Sequence, residues 1–536
     1  MKRPSRRAAE SPATPEFEVA VIGAGPGGIA AGVKLKRAKI EDFVIIDRDT
    51  DFGGSWHENH YPGLGVDIPW PAYQFSFERK TDWSRFFPKG PEVKQYHVEV
   101  ARKYGLYPHA RFQTRIVKEE FDDERHYWKL HTAEGTVLTA RFLINAVGAF
   151  VRPRSDSFTG VEGFQGEILR PHNWNDDYDL KGKRVGVVGT GASAVQIIPA
   201  IRDEVAAMTV FQRTPVWSFP KPDFQTPTLM KRLLALPGVL PIVHGTILVG
   251  VDLALRGLVS APNGVLRPAL SLVDRAAIAA YRRLVGLIVK DPATAAQLSP
   301  NFGFIAKRPT MNTQYLPTFN HPHVQLVTEP IERITAKGIR TADGVEREFD
   351  AIVLATGYEV FSDPETYRPG TIVGRSGFDL GKFYTAEGLQ AYQSVSVHGL
   401  PNRWTLVGPY SWTGSGWHDF VEMTADHAAR AIKEAKRRKA TLMEIRRDVA
   451  EDYHRKIYQQ NEIVRYYMTE LNGHTPTYYR NSQGESTYIR PTGFFEARRG
   501  HRKFPFDHYS YEVLRAGAVA AEPEGTAVES VSEVSA

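Results

Sequence analysis

The feature that most constrains this chain is a strand, glycine turn and helix that occur twice. The first copy runs Phe17-Glu18-Val19-Ala20-Val21-Ile22-Gly23-Ala24-Gly25-Pro26-Gly27-Gly28-Ile29-Ala30. An apolar β-type run enters the turn, and a helix-prone run from Ala30 to Arg37 leaves it. Gly23 permits the tight turn, Gly25 lets the backbone approach a pyrophosphate, and Gly28 lets the helix pack closely on the strand. The helix start offers a phosphate its unpaired N–H groups and the positive end of its dipole. The next strand, Asp42 to Ile46, ends in Asp47, where an acid binds a ribose hydroxyl. Arg48 counts with Asp47 among the candidate contacts.

The second copy starts with the strand Arg184 to Val188. Gly189-Thr190-Gly191-Ala192-Ser193-Ala194 is its turn, and a helix runs from Val195 to Ile201. The following strand, Met208 to Phe211, ends at Arg213-Thr214. Arg213 stands as far beyond Ala194 as Asp47 stands beyond Gly28. A carboxylate at that place suits a free 2′-hydroxyl, whereas arginine accepts a 2′-phosphate. The first copy therefore reads as an FAD site and the second as an NADPH site. The plainer alternative for Arg213 is a solvated cation at a strand end.

The expected fold class is α/β, with two Rossmann-like dinucleotide-binding domains (FAD and NADPH) and a helical insertion. At 536 residues the chain exceeds one ordinary core. The expected division is a disordered tail at 1–16, an FAD-binding part at 17–152 and an NADPH-binding part at 153–223. A helical insertion follows at 224–300, then the second NADPH part at 301–384. Residues 385–515 complete the FAD domain and the C-terminal region, and 516–536 form a second tail. The insertion carries aliphatic residues at helical spacing (Leu229, Leu233, Leu234, Leu270, Val273, Leu284, Leu287), for which packing is the main expected role. The buried strand Asp350 to Tyr358 closes on a glycine, and Trp404 to Pro409 follows the same pattern. Strand signals also mark Val324 to Val327, and an amphipathic helix is expected from Glu422 to Lys439.

Charge and cysteine content narrow the chemistry. The net charge of +6 suits anionic cofactors and makes no case for nucleic acid. With no cysteine, the chain has neither a thiolate nucleophile nor a redox disulfide. The 17 histidines show no metal-ligand spacing. Met1 to Glu16 lacks the apolar run of a signal peptide. The longest apolar stretch, Val239 to Val251, is too short to span a bilayer and contains Pro241 and His244. A cytoplasmic enzyme without an integral membrane segment is expected, of unknown oligomeric state.

Further motifs, in this order, carry a resemblance: Gly53-Gly54-Ser55-Trp56 with Tyr61-Pro62-Gly63 and Asp67, the Gly189 turn, Phe211-Gln212-Arg213-Thr214-Pro215, Lys307-Arg308-Pro309, and Asp350 to Tyr358. The chain resembles the class B flavoprotein monooxygenases and, within them, is most similar to the Baeyer–Villiger monooxygenases, from about residue 17 to 435 and weakly to 512. The resemblance implies an FAD- and NADPH-dependent enzyme. It would insert one oxygen atom of O2 beside the carbonyl of an apolar ketone through a C4a-peroxyflavin, giving an ester or lactone. Oxygenation of a sulfur or nitrogen heteroatom is the alternative.

By the same resemblance, Arg308 is the catalytic arginine and Asp67 its carboxylate partner. Arginine suits the task because it stays charged when desolvated. Lys307 joins Arg213 and Thr214 at the 2′-phosphate. Gly54, Trp56, Asp67 and Tyr73 lie by the flavin, and Gly65, Val66 and Asp67 by the nicotinamide nucleotide. Trp412 and Trp417 are candidates either for the pocket or for packing. The family's linker signature F-x-G-x-x-x-H-x-x-x-W is matched at Phe164, Gly166 and Trp174. Arg170 holds the histidine position, His172 follows two residues later, and Asn175 takes the place of Pro or Asp.

Overall fold

The computed structural model describes residues 14–154, 158–260, 262–414 and 416–514. Most of both expected tails, and Ser415 of the glycine-rich loop before the last long helix, lie outside the described residues. The first turn is built from β1 (Phe17–Ile22), α1 (Pro26–Arg37) and β2 (Phe43–Ile46). Helix α2 (Gly90–Lys103) follows, with β3 (Ala110–Arg111), β4 (Ile116–Asp122), β5 (Tyr127–Thr132) and β6 (Val137–Asn145). Next come β7 (Glu167–Leu169), β8 (Arg184–Val188), α3 (Ala192–Ile201) and β9 (Ala207–Phe211). The insertion forms α4 (Thr228–Ala235), α5 (Val239–Ser260) and α6 (Asn263–Ile288). After it lie β10 (Val324–Val327), β11 (Ala351–Leu354), β12 (Ile372–Val373), β13 (Arg403–Thr405), α7 (Trp417–Arg437) and α8 (Phe494–Lys503).

Two sheets organise the chain. The larger has the order β12-β4-β5-β6-β1-β2-β3, with β13 also paired to β6. Its β13, β6, β1, β2 and β3 run parallel, and β4, β5 and β6 form an antiparallel meander. The smaller sheet is fully parallel, in the order β10-β9-β8-β11-β7. Strands β12 and β13 come from beyond the smaller sheet in sequence, so the chain returns to complete the first sheet. The central strands β1 (from Val19), β2, β8 (from Val185) and β11 are buried along their length and read as continuous apolar runs, as strands covered on both faces do.

Each glycine turn sits at the end of a central strand, where α/β sheets bind ligands. Helix α7 packs along α1 and buries His418, Phe420, Val421, Ala425 and Ala428. It begins at Trp417, five residues ahead of the expected Glu422.

The insertion is helical, as its spacing predicts, and packing accounts for only part of its aliphatic residues: Leu270 and Leu284 pack against the core. Leu234 is buried, while Leu229, Leu233, Val273 and Leu287 are exposed.

Candidate active site

The first turn is held by contacts that leave no room for a side chain. Gly23 adopts φ +110°, and its N–H donates to the Ile46 carbonyl. A Cβ on Gly28 would lie 1.9 Å from the Gly23 oxygen. The motif's third glycine thus packs helix against strand, as expected. The loop after β2 comes back over the turn: a Cβ on Gly54, at φ +55°, would meet the Gly25 Cα at 2.8 Å. Asp47 accepts the N–H groups of Ala24 and Asp49, which fixes its carboxylate at the end of β2. Arg48 donates to Glu58 and to the Val151 carbonyl. Burial lifts Glu58 to about 7 against the pull of Arg48.

The second turn repeats this plan. Gly189 has φ +111° and donates to the Phe211 carbonyl; a Cβ there would meet the Ala355 oxygen at 2.4 Å. At Gly191 a Cβ would meet nothing within 4 Å, so the space above the N-terminus of α3 is open. Ala192 starts that helix and Ala194 is fully buried. The Thr190 hydroxyl donates to the Thr214 carbonyl at 2.8 Å, tying the turn to the end of β9. Arg213 is exposed beside it. Burial lowers Lys307 to about 8, and the positive charge of Arg213 adds to the effect. Two cations thus share one place, which is how a phosphate subsite is built.

Between the turns, the segment 61–67 rests on α3. The Gln196 amide donates to the Gly65 carbonyl at 2.9 Å, and its oxygen accepts the Gly65 N–H and the Tyr61 hydroxyl, both at 3.3 Å. Ser193 shares Tyr61's surroundings; burial pushes that phenol up to about 12. A Cβ on Gly63 would meet the Gln196 carbonyl at 2.5 Å, so only glycine allows this approach. Val66 is buried, and its carbonyl accepts from Lys221 Nζ at 2.6 Å. Burial lowers Lys221 to about 8.

This loop delivers Asp67 to Arg308. Arg308 Nη2 lies 2.8 and 2.9 Å from the two Asp67 oxygens. Asp67 is the main reason that Arg308 sits well above its ordinary value, so the guanidinium is charged at any working pH. Trp56 Nε1 donates to the Tyr73 hydroxyl at 3.1 Å. Burial raises the Tyr73 phenol, and both Arg308 and Asp67 act on it. Gly54, Trp56, Tyr73, Asp67 and Arg308 are thereby gathered in one region. Asp47 and Arg48 lie at the end of β2, and Arg48 reaches Glu58, two residues beyond Trp56.

Three groups near the site were not singled out from the sequence. Gln196 and Lys221 position the Asp67 loop, and neither belongs to a motif. The third is a tyrosine cluster from the C-terminal region, to which sequence reading assigned no chemistry. Tyr478, Tyr479 and Tyr488 pack with ring centroids 4.7 to 5.3 Å apart. Burial raises all three phenols, and the charge of Arg308 opposes the rise. Trp412 stacks on Tyr479 at 6.4 Å, whereas Trp417 packs on Phe420 of its own helix. In the linker, Arg170 and His172 line the same cavity of about 560 Å³. Asn175 donates to Glu167, and Trp174 is buried.

A protein-family model described as pyridine nucleotide-disulphide oxidoreductase matches residues 20–237. That stretch spans both glycine turns, and the absence of cysteine leaves no redox disulfide. A curated Baeyer–Villiger monooxygenase of Pseudomonas aeruginosa is 33% identical over 509 residues, 94% of this chain and 93% of that protein. The chain belongs to the Baeyer–Villiger monooxygenase family. A crystal structure of the enzyme OTEMO in complex with FAD and NADP superposes with a TM-score of 0.81 at 26% identity, covering 93% of this chain and all of that one. An ε-caprolactone-bound cyclohexanone monooxygenase gives 0.78 at 25% identity, over 92% of this chain and 99% of that one. Among Baeyer–Villiger monooxygenases, then, the likeness extends through the C-terminal region that holds the tyrosine cluster.

Proposed function

We propose that this Baeyer–Villiger monooxygenase uses FAD and NADPH to convert an apolar ketone and O2 into an ester or lactone, and that Asp67 and Arg308 form its reaction centre. The two turns fit the two nucleotides. The glycine pair Gly25/Gly54 leaves a cradle that a Cβ would fill, and Arg213 with Lys307 fits a 2′-phosphate. Asp47 and Arg48 serve the first nucleotide. Gly65, Val66, Gly189 to Ala194, Arg213, Thr214, Lys307 and Arg308 serve the second. In this reading the chain folds as a discontinuous FAD domain around an NADPH domain, with the helical insertion inside the latter.

When bound, the flavin supplies reducing equivalents and the activation of O2. The chain supplies a fixed, oriented charge. Arg308 presents a permanent cation where anionic oxygen develops, and it needs no proton from solvent. Asp67 keeps the guanidinium in place, and Gln196 and Lys221 keep Asp67 in place. Tyr73 and the tyrosine cluster lie close enough for the cation to act on their phenols, while the Arg308 side chain stays 39% exposed to an incoming substrate. The observation that carries the reading is the Arg308–Asp67 pair, which heteroatom oxygenation does not require in the same way.

The test is turnover of a cyclic ketone with NADPH and isotope-labelled dioxygen, read by mass spectrometry. A lactone carrying one labelled oxygen is expected. NADPH consumption yielding only hydrogen peroxide across ketones, with sulfides oxygenated instead, would overturn the reading.

A further inference from the structure

We infer that the outer face of the helical insertion docks on an anionic phospholipid bilayer. Eleven of the twenty large apolar side chains exposed among the described residues fall between Leu229 and Leu287. On α5, Ile242, Val249 and Leu253 recur at i, i+7 and i+11, at 69%, 44% and 63% exposure. Leu240, His244 and Leu248 on the other side of the helix are buried. On α4, Leu229 and Leu233 are exposed one turn apart, and Leu236 is exposed just beyond the helix end. Each helix is thus amphipathic in the reverse sense, with apolar stripes turned outward as well as inward. An exposed apolar face of this extent marks an interaction surface.

Charge selects the occupant. Residues 228–290 contain eight Lys and Arg and two acids, Asp252 and Asp274. Both acids are buried. Asp252 accepts from Arg256 at 2.6 Å and from the Phe495 N–H at 3.1 Å. Asp274 accepts from the Tyr467 hydroxyl at 2.8 Å and from Asn472 at 3.2 Å. Over the whole insertion, residues 224–300, Asp291 is the one exposed acid among the described residues, and it accepts the Thr294 N–H at the start of its own helix. The other exposed charges are cations.

Arg267 pairs with Glu462 and Glu470, but cations still outnumber exposed acids on the insertion. Apolar stripes with a surplus of cations fit anionic headgroups above an acyl boundary. A second copy fits poorly, because a two-fold contact would set these cations against themselves. No single helix among the described residues is long and apolar enough to cross a membrane. Thr228–Ala235 and Val239–Ala254 pass that test only together, across a bend of 92°. The geometry is that of helices lying on a bilayer.

Flotation of the full-length, FAD-loaded protein tests this, with vesicles of phosphatidylcholine alone and of phosphatidylcholine and phosphatidylglycerol in equal parts. Binding to the second kind, weakened by added salt, is expected. The exposed-site variant I242E/L253E should weaken it on the order of tenfold or more, with NADPH oxidation unchanged. L229E/L233E should do the same, so that misfolding of one variant decides nothing. The inference fails if anionic vesicles do not bind, or if both variants bind as well as the parent. It fails equally if these substitutions disperse a dimer without affecting lipid binding.

Discussion

Arg308 Nη2 donates to both oxygens of Asp67 across 241 residues of chain. The arginine stands two residues before the buried Thr310, and the carboxylate sits on a loop resting on α3. The pair ties the cation to the 61–67 loop and, through Gln196, to the helix of the second turn.

Replacing Arg308 by alanine should abolish oxygen insertion and leave NADPH oxidation running to hydrogen peroxide. Loss of one fixed electrostatic donor at a reaction centre costs on the order of a hundredfold or more. Asp67→Ala should be milder, because the cation remains but is no longer held in place. Product and peroxide, measured per NADPH consumed, separate the two variants.

Lys307 gives the site a pH dependence with a definite sign. Buried beside Arg213, its ammonium is held near 8 in the free protein. It is charged below that value and neutral above it, so affinity for a 2′-phosphate should fall as pH rises through about 8. The KM for NADPH should rise over that window while the KM for NADH stays level. Lys307→Met should flatten the NADPH profile. Arg213→Ala should raise the KM for NADPH about tenfold or more, the loss expected for a charge-assisted contact.

Much of this was legible in the chain. Strand β8 and strand β10 fall where the apolar runs predict them, β2 and β11 begin one residue later than expected, and β11 ends at Leu354, short of the expected Tyr358. Their signal is local: buried parallel strands are apolar throughout, and the glycines mark turns that only glycine can make. The pairing of Asp67 with Arg308 was visible only through family resemblance, since from spacing alone each is an ordinary charged residue. Gln196, Lys221 and Tyr478 escaped even that. Their contacts are long-range and carry no periodicity or motif. The aliphatic spacing of the insertion revealed helices but not which stripe faces outward, because Leu234 and Leu229 read alike before the core is known.

Gly54→Ala should cost the protein its flavin. The added methyl would stand 2.8 Å from the Gly25 Cα, backbone against backbone, at a φ of +55° that disfavours a side chain. Neither residue can yield without opening the turn that α1 caps. The expected result is a folded protein with reduced FAD content and a visible absorbance well below that of the parent, restored only in part by excess FAD.

Lys221 positions the Asp67 loop by donating to the Val66 carbonyl at 2.6 Å, with its ammonium 4.9 Å above the centre of the Phe87 ring. Burial brings it from 10.5 to about 8. Between those values the unfolded chain holds a proton that the folded protein has released, so stability gains a contribution that grows with pH across that window. Lys221→Met keeps the stem packed and removes both the donor and this titration. Its melting temperature should therefore rise less between pH 8 and 10.5 than that of the parent, by one proton's share. At pH 7 the same variant should show a larger fraction of NADPH lost to peroxide, because the Asp67 loop has lost an anchor, with the KM for NADPH little changed. If coupling of NADPH to product is unchanged while the pH dependence of stability flattens, Lys221 supports the fold and does not position Asp67.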